Sequence, residues 1–204
     1  MAVQQTKGHK RPKIGIILST IREGRFGEVV GRWILAQAAR RHELACELVD
    51  LRDYPLPLFG EPDGVSATGE TRSEVIARWQ RKLAELDGYI FVTAEYNHSI
   101  PGVLKNALDH AYAEYRRKPA AFVGYGGVGG ARAVEQLRLI CIEFQLAPLR
   151  AAVHIGPEPY HAVTREGHQF SDFPSLQQAA DALLDDLVWW TYTLRAGRRE
   201  QLVA

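Results

Sequence analysis

The chain has 204 residues, 46% of them hydrophobic and 24% charged, with a formal net charge of +1. That length suffices for one domain with a full core, and the near-neutral balance excludes the basic field that steers nucleic acid or an anionic membrane surface. No apolar run approaches the ~20 residues of a membrane-spanning helix, and Cys46 and Cys141 lie too far apart for a CxxC or disulfide framework.

Both cysteines are therefore expected to be buried small hydrophobes in a cytoplasmic protein. Residues 1–12 are polar and basic without the apolar stretch of a secretory signal, and are expected to form a disordered leader. The remainder, 13–204, is read as a single domain.

A near-continuous apolar run at 13–18 predicts a strand covered on both faces. Val30, Trp33, Ile34 and Ala38 then recur at helical spacing within 28–41. Residues 44–49 predict a second strand, and the prolines and glycines of 50–68 a loop. A helix follows at 71–86, a third strand at 88–93 and a third helix at 101–115. The fourth strand and helix fall at 118–125 and up to 145, and the fifth strand at 148–155. A long polar loop is expected at 156–174, then a closing helix at 175–195. Its broad apolar face (Leu183, Leu184, Leu187, Trp189, Trp190) is expected to serve the sheet and, in part, a second subunit.

Five strands alternating with five helices specify an α/β, three-layer, doubly wound parallel sheet. Right-handed crossovers favour the strand order 2-1-3-4-5, whose switch point lies between the first and third strands. The turns after strands one, three and four then flank a single crevice. In the first turn Ser19 and Thr20 offer hydroxyls, Arg22 and Arg25 offer forks that match a phosphate monoester, and Gly24 and Gly27 permit close backbone approach. No GKS or GKT is present, so this is no P-loop.

The second turn, Glu95-Tyr96-Asn97-His98, carries an amide and an aromatic face suited to the edges of a heteroaromatic ring. Gly124-Tyr125-Gly126-Gly127-Val128-Gly129 matches GxGxxG, but a dinucleotide site wants an acid closing the next strand. Glu143 has the spacing and falls in a helix, so Gly126 and Gly127 are read instead as a wall flush with the ligand's ring. His98 is the one histidine expected in the crevice. No HExxH, Ser-His-Asp or Cys-His arrangement is legible, which argues against metal and nucleophilic catalysis. Lys105 and Asp109, four apart, read as a structural or subunit-contact pair.

Together S-T-x-R-x-x-R-x-G, E-Y-N-x-S-x-P-G-x-L-K-N-A-x-D and Y-G-G-x-G-G resemble the NADPH-dependent FMN reductase family of flavodoxin-like flavoproteins, over about residues 13 to 145. The resemblance implies FMN as cofactor. Ser19, Thr20, Arg22, Arg25 and Gly27 would hold its phosphate. Ala94, Glu95, Tyr96 and Asn97 would line the isoalloxazine, with Gly126 and Gly127 at its pyrimidine end. It also implies a homodimer or homotetramer, NADPH or NADH as hydride donor, and flavin N5 rather than a side chain as the catalytic centre. The acceptor would be a small molecule: free flavin, a quinone, an azo compound or an oxidised metal anion. The competing readings are a flavodoxin-type electron carrier, which the charge of +1 disfavours, and a flavin-free scaffold on the same fold.

Overall fold

A computed structural model describes residues 10–62, 64–65 and 69–200. The expected leader lies, up to residue 9, outside the described residues. Five parallel strands, β1 (Lys13–Leu18), β2 (Ala45–Asp50), β3 (Gly88–Ala94), β4 (Pro119–Tyr125) and β5 (Ala147–Ile155), form one sheet in the order β2-β1-β3-β4-β5. The helices are α1 (Gly27–Ala38), α2 (Arg72–Ala84), α3 (Gly102–Asp109), α4 (Ala131–Glu143), α5 (Pro157–Arg165) and α6 (Pro174–Glu200). The predicted topology is the observed one.

Alternate strand residues feed two cores. Ile14, Ile16, Ile90, Val92, Ala121 and Val123 face α1 and α6 on one side. Ile17, Tyr89, Phe91 and Phe122 face α2, α3 and α4 on the other. Every residue of the central strands β3 and β4 is buried, which is why both read as unbroken apolar runs. The register aligns the strand ends: Leu18 pairs with Val92 and Asp50, and Tyr125 pairs with both Ala94 and Ile155. The chain therefore leaves β1, β3, β4 and β5 at one edge.

Four expectations need correction. The 156–174 stretch is not all loop: Gly156 and Pro157 open α5, with proline in the first turn where its missing N–H costs nothing. The third helix stops at Asp109, and a separate short turn, Ala113–Tyr115, carries the fully buried Tyr115 against Tyr89 and Phe144. The last helix runs to Glu200 rather than 195, because Arg195 and Arg198 reach Asp87 at 3.4 and 2.9 Å and tie its end to the foot of the sheet. Cys141 is buried as expected, but Cys46, on the sheet-edge strand β2, is only half-buried.

Candidate cofactor-binding site

A cleft of about 360 Å³ opens at the carboxyl edge, lined by Arg22, Gly24, Arg25, Phe26, Ala94, Glu95, Tyr96, Tyr125, Gly126, Gly127, Pro157, Tyr160 and His161. That volume lies in the range of small-molecule and cofactor sites. Of the predicted residues, Arg22, Arg25, Ala94, Glu95, Tyr96, Gly126 and Gly127 meet there. Ser19, Thr20, Gly27 and Asn97 do not line it.

The first turn is built from beneath. Ser19 and Thr20 are buried; the Ser19 N–H donates to the Val92 carbonyl, and the Thr20 hydroxyl lies 3.4 Å from that of Tyr125. A Cβ at Gly27 would stand 2.6 Å from the Tyr125 hydroxyl, so glycine is what lets α1 seat its first turn on β4. Among the described residues no backbone N–H from Thr20 to Gly24 donates to a protein acceptor. A row of unengaged donors at the head of a helix suits an anion.

The two arginines of this turn divide the expected work. Arg25 is buried, and its terminal nitrogens donate to both carboxylate oxygens of Asp50, one of them at 2.8 Å, and to the Thr20 carbonyl. Its fork is therefore engaged inside the protein, which corrects the expectation of a second free phosphate fork. Burial works against ionisation of Asp50, but hydrogen bonds from Arg25 and the Arg52 N–H hold its carboxyl below the usual range. Arg52 in turn donates to the Ile21 carbonyl at 3.0 Å and to the Arg22 carbonyl. The end of β2 thus braces the whole turn. Arg22 remains exposed, with no partner for its guanidinium among the described residues.

The second turn is a tight two-residue reversal. Tyr96 and Ser99 exchange backbone hydrogen bonds of 3.0 and 3.2 Å, and Asn97 and His98 between them both have positive φ (51° and 75°). Asparagine tolerates that conformation; histidine does so less readily. Tyr96 is half-exposed over the cleft, while Asn97 and His98 do not line it. Glu95 turns inward: its carboxylate accepts from the Arg132 N–H at 3.1 Å and from the Arg132 guanidinium. Burial opposes its ionisation, yet the Arg132 hydrogen bonds prevail and hold its carboxyl low. It caps α4 from outside, a role the sequence does not announce because Arg132 lies on another turn.

In the third turn the Glu95 N–H donates to the Tyr125 carbonyl and the Gly126 N–H to the Ile155 carbonyl, locking the two edges together. Gly127 stands open, with nothing within 4 Å of where a Cβ would be, and its N–H has no protein acceptor among the described residues. Glu143 lies in α4, as read, so the glycine pattern lacks its dinucleotide partner. Lys105 and Asp109 pair with each other at 2.7 Å along α3.

A third wall escaped the sequence reading. Phe26 meets Tyr125 edge-on at 5.5 Å and Tyr160 of α5 at 4.7 Å. This seats α5 so that Pro157, Tyr160 and His161 line the cleft. The histidine of the crevice is thus His161, not His98. The available signal was Gly156-Pro157, a helix start directly after a strand.

Comparison with known proteins identifies the family. The family model described as NADPH-dependent FMN reductase matches residues 12–158. An NAD(P)H-dependent FMN reductase of Schizosaccharomyces pombe is 36% identical over 146 residues, which span 70% of this chain and 72% of that protein. A 2-hydroxy-1,4-benzoquinone reductase of a Burkholderia species is 31% identical over 136 residues, 63% of this chain and 69% of its own. Among solved structures, the flavoenzyme NAD(P)H:(acceptor) oxidoreductase FerB of Paracoccus denitrificans superposes with a TM-score of 0.63 at 22% identity, over 89% of this chain and 98% of its own. The motifs at three strand ends and a match over most of the sequence lead to one assignment: the chain belongs to the NADPH-dependent FMN reductase family, flavodoxin-like oxidoreductases that work with FMN and NAD(P)H.

Proposed function

We propose that the cleft holds FMN, with the phosphate at the head of α1 and the ring between Tyr96 and the Gly126–Gly127 edge, and that the chain reduces a small acceptor such as a quinone at the expense of NAD(P)H. One observation carries this: a single cleft joins the free guanidinium of Arg22 to the aromatic and backbone edges of the second and third turns. The residues fit the group in a further respect. Ser19 Oγ and Arg25 Nε are buried without partners beside the row of unengaged N–H groups, an arrangement left incomplete by the protein alone.

When bound, FMN supplies the hydride chemistry between NAD(P)H and the acceptor. The work of the chain is to bind and orient. Arg22 and the N–H groups of Thr20 to Gly24 neutralise the phosphate, with Arg25 Nε and Ser19 Oγ as further donors, while the terminal nitrogens of Arg25, held by Asp50, keep that turn in shape. Ala94, Glu95 and Tyr96 border the ring, and the free Gly127 N–H is the donor to its polar edge. The Thr20 side chain, Gly27 and Asn97 support these surfaces from behind.

Replacing Arg22 with Ala should weaken FMN retention about tenfold or more, the loss of one charge-assisted contact, and leave the thermal midpoint of the flavin-free protein unchanged. Equilibrium dialysis with absorbance at the flavin maximum measures the first and calorimetry the second. The reading as a whole is tested by the visible spectrum of purified protein reconstituted with FMN, before and after anaerobic addition of NADPH. Retention of FMN and bleaching on NADPH are expected; a protein that takes up no flavin would sink it. Bleaching only by a partner protein would turn the assignment toward an electron carrier.

We further propose that the protein is a homodimer or homotetramer of the cytoplasm. Exposed Trp189, Trp190 and Tyr192 on α6 and Leu58 and Phe59 before α2 support the first part, being large apolar groups that a lone subunit leaves in water. Cys46 and Cys141, both free thiols, suit a reducing compartment.

A further inference from the structure

We infer that His161, beside the face of Tyr160, is the contact that selects the acceptor: its ring donates a hydrogen bond from Nε2 to the carbonyl oxygen of a quinone-type aromatic compound. The inference rests on the reading of the cleft as an FMN reductase site. It names a residue and a substrate class within that reading.

Neither ring nitrogen of His161 has a protein partner among the described residues, and Nδ1 is fully buried. A proton on Nδ1 would be an N–H shut away from any acceptor, a worse arrangement than a proton on the other nitrogen. The neutral ring therefore carries its hydrogen on Nε2, which makes His161 a donor toward the cleft it lines. A donor recognises an oxygen with lone pairs to give.

Shape narrows the partner further. Tyr160 is 37% exposed, and its ring is fixed by edge contacts with Phe26 at 4.7 Å and His161 at 5.2 Å. A held aromatic face next to a single donor matches a flat ring that bears a carbonyl. Neither residue belongs to the three turns assigned to the cofactor. Both also lie past residue 158, where the family match ends. Changes at these positions should therefore alter acceptor choice while leaving cofactor binding in place.

The test uses the FMN-loaded, oxidised protein and duroquinone, whose methylated ring resists addition by the Cys46 thiol. Oxidised flavin and quinone do not react, so binding is measured by calorimetry without turnover. His161→Phe keeps an aromatic ring in the α5 wall but removes the donor, whereas His161→Gln places an amide donor near the Nε2 position. Phe is expected to raise the duroquinone Kd about tenfold, as for one lost hydrogen bond, and to raise KM more than it lowers kcat. Gln should stay within about threefold of the parent. In His161→Phe the fall in kcat/KM should be about tenfold larger with duroquinone than with ferricyanide, which has no carbonyl, and both variants should still take up FMN and bleach with NADPH. If His161→Phe binds duroquinone like the parent, or if ferricyanide turnover falls in step, the assignment of His161 is overturned while the cofactor reading stands. A parent protein that takes up no FMN overturns both.

Discussion

Replacing Asp50 with Ala is expected to destabilise the fold by about 3 kcal/mol and to cost the protein most of its FMN affinity. The reason is an asymmetry within one ion pair. The Arg25 side chain is 2% exposed and the Asp50 side chain 24%. Removing the carboxylate strands a buried guanidinium whose Nε already has no partner. Removing the guanidinium instead leaves a carboxylate that water can reach, so Arg25→Ala should cost less, about 1 to 2 kcal/mol. A double replacement, Arg25→Met with Asp50→Leu, should recover most of the stability because no buried charge remains.

Urea unfolding followed by circular dichroism ranks the three variants, and an Arg25→Ala loss larger than that of Asp50→Ala would contradict the account. The pair also sets an acid limit. The folded-state pKa of Asp50 is lowered, so its contribution is complete above the unfolded carboxyl value of about 4. It disappears as pH falls below that value and through the folded pKa. The stabilities of the parent and Asp50→Asn should converge in that acidic window and differ most at neutral pH.

That pair also shows where sequence reading stops. Arg25 was visible as a cation in a loop at a strand end, and a loop arginine beside glycines reads as a phosphate ligand. Its partner lies 25 residues away at the end of a different strand. Only the parallel register of β1 with β2, which sets Leu18 opposite Asp50, brings the two together. Glu95 is the same case: its sequence neighbours Ala94 and Tyr96 line the cleft, while its carboxylate serves a helix 37 residues further on.

The inner strands β1, β3 and β4, by contrast, are legible because burial on both faces leaves almost no polar position. Phe91 and Val92 of β3 are as buried as Ile16 and Ile17 of β1. The helix α5 is not, since its nine residues include two prolines and only one buried side chain. With α5 went His161, and the crevice was assigned the histidine nearest in sequence instead. His98 sits at positive φ in a tight reversal and does not line the cleft, a local backbone fact no periodicity reports.

The glycine turn separates shape from occupancy, and substitutions at two of its positions should fail in opposite ways. At Gly130 φ is +71°, and an added Cβ would stand 2.5 Å from the Tyr125 nitrogen and 2.8 Å from the Gly124 backbone. Main chain of a central strand cannot retreat, so Gly130→Val should cost about 3 kcal/mol or more and abolish FMN binding as a consequence. At Gly127 nothing lies within 4 Å of the new carbon and φ is not in the left-handed region. Gly127→Val should therefore leave the urea midpoint within about 0.5 kcal/mol of the parent. Its isopropyl group would still project into the cleft and raise the FMN Kd by at least about tenfold, the scale of one or two lost contacts. Full FMN occupancy and normal NADPH bleaching in a stable Gly127→Val protein would mean that the ring does not lie along this edge. A Gly127→Val protein as unstable as Gly130→Val would mean instead that the turn, not the ligand, requires the glycine.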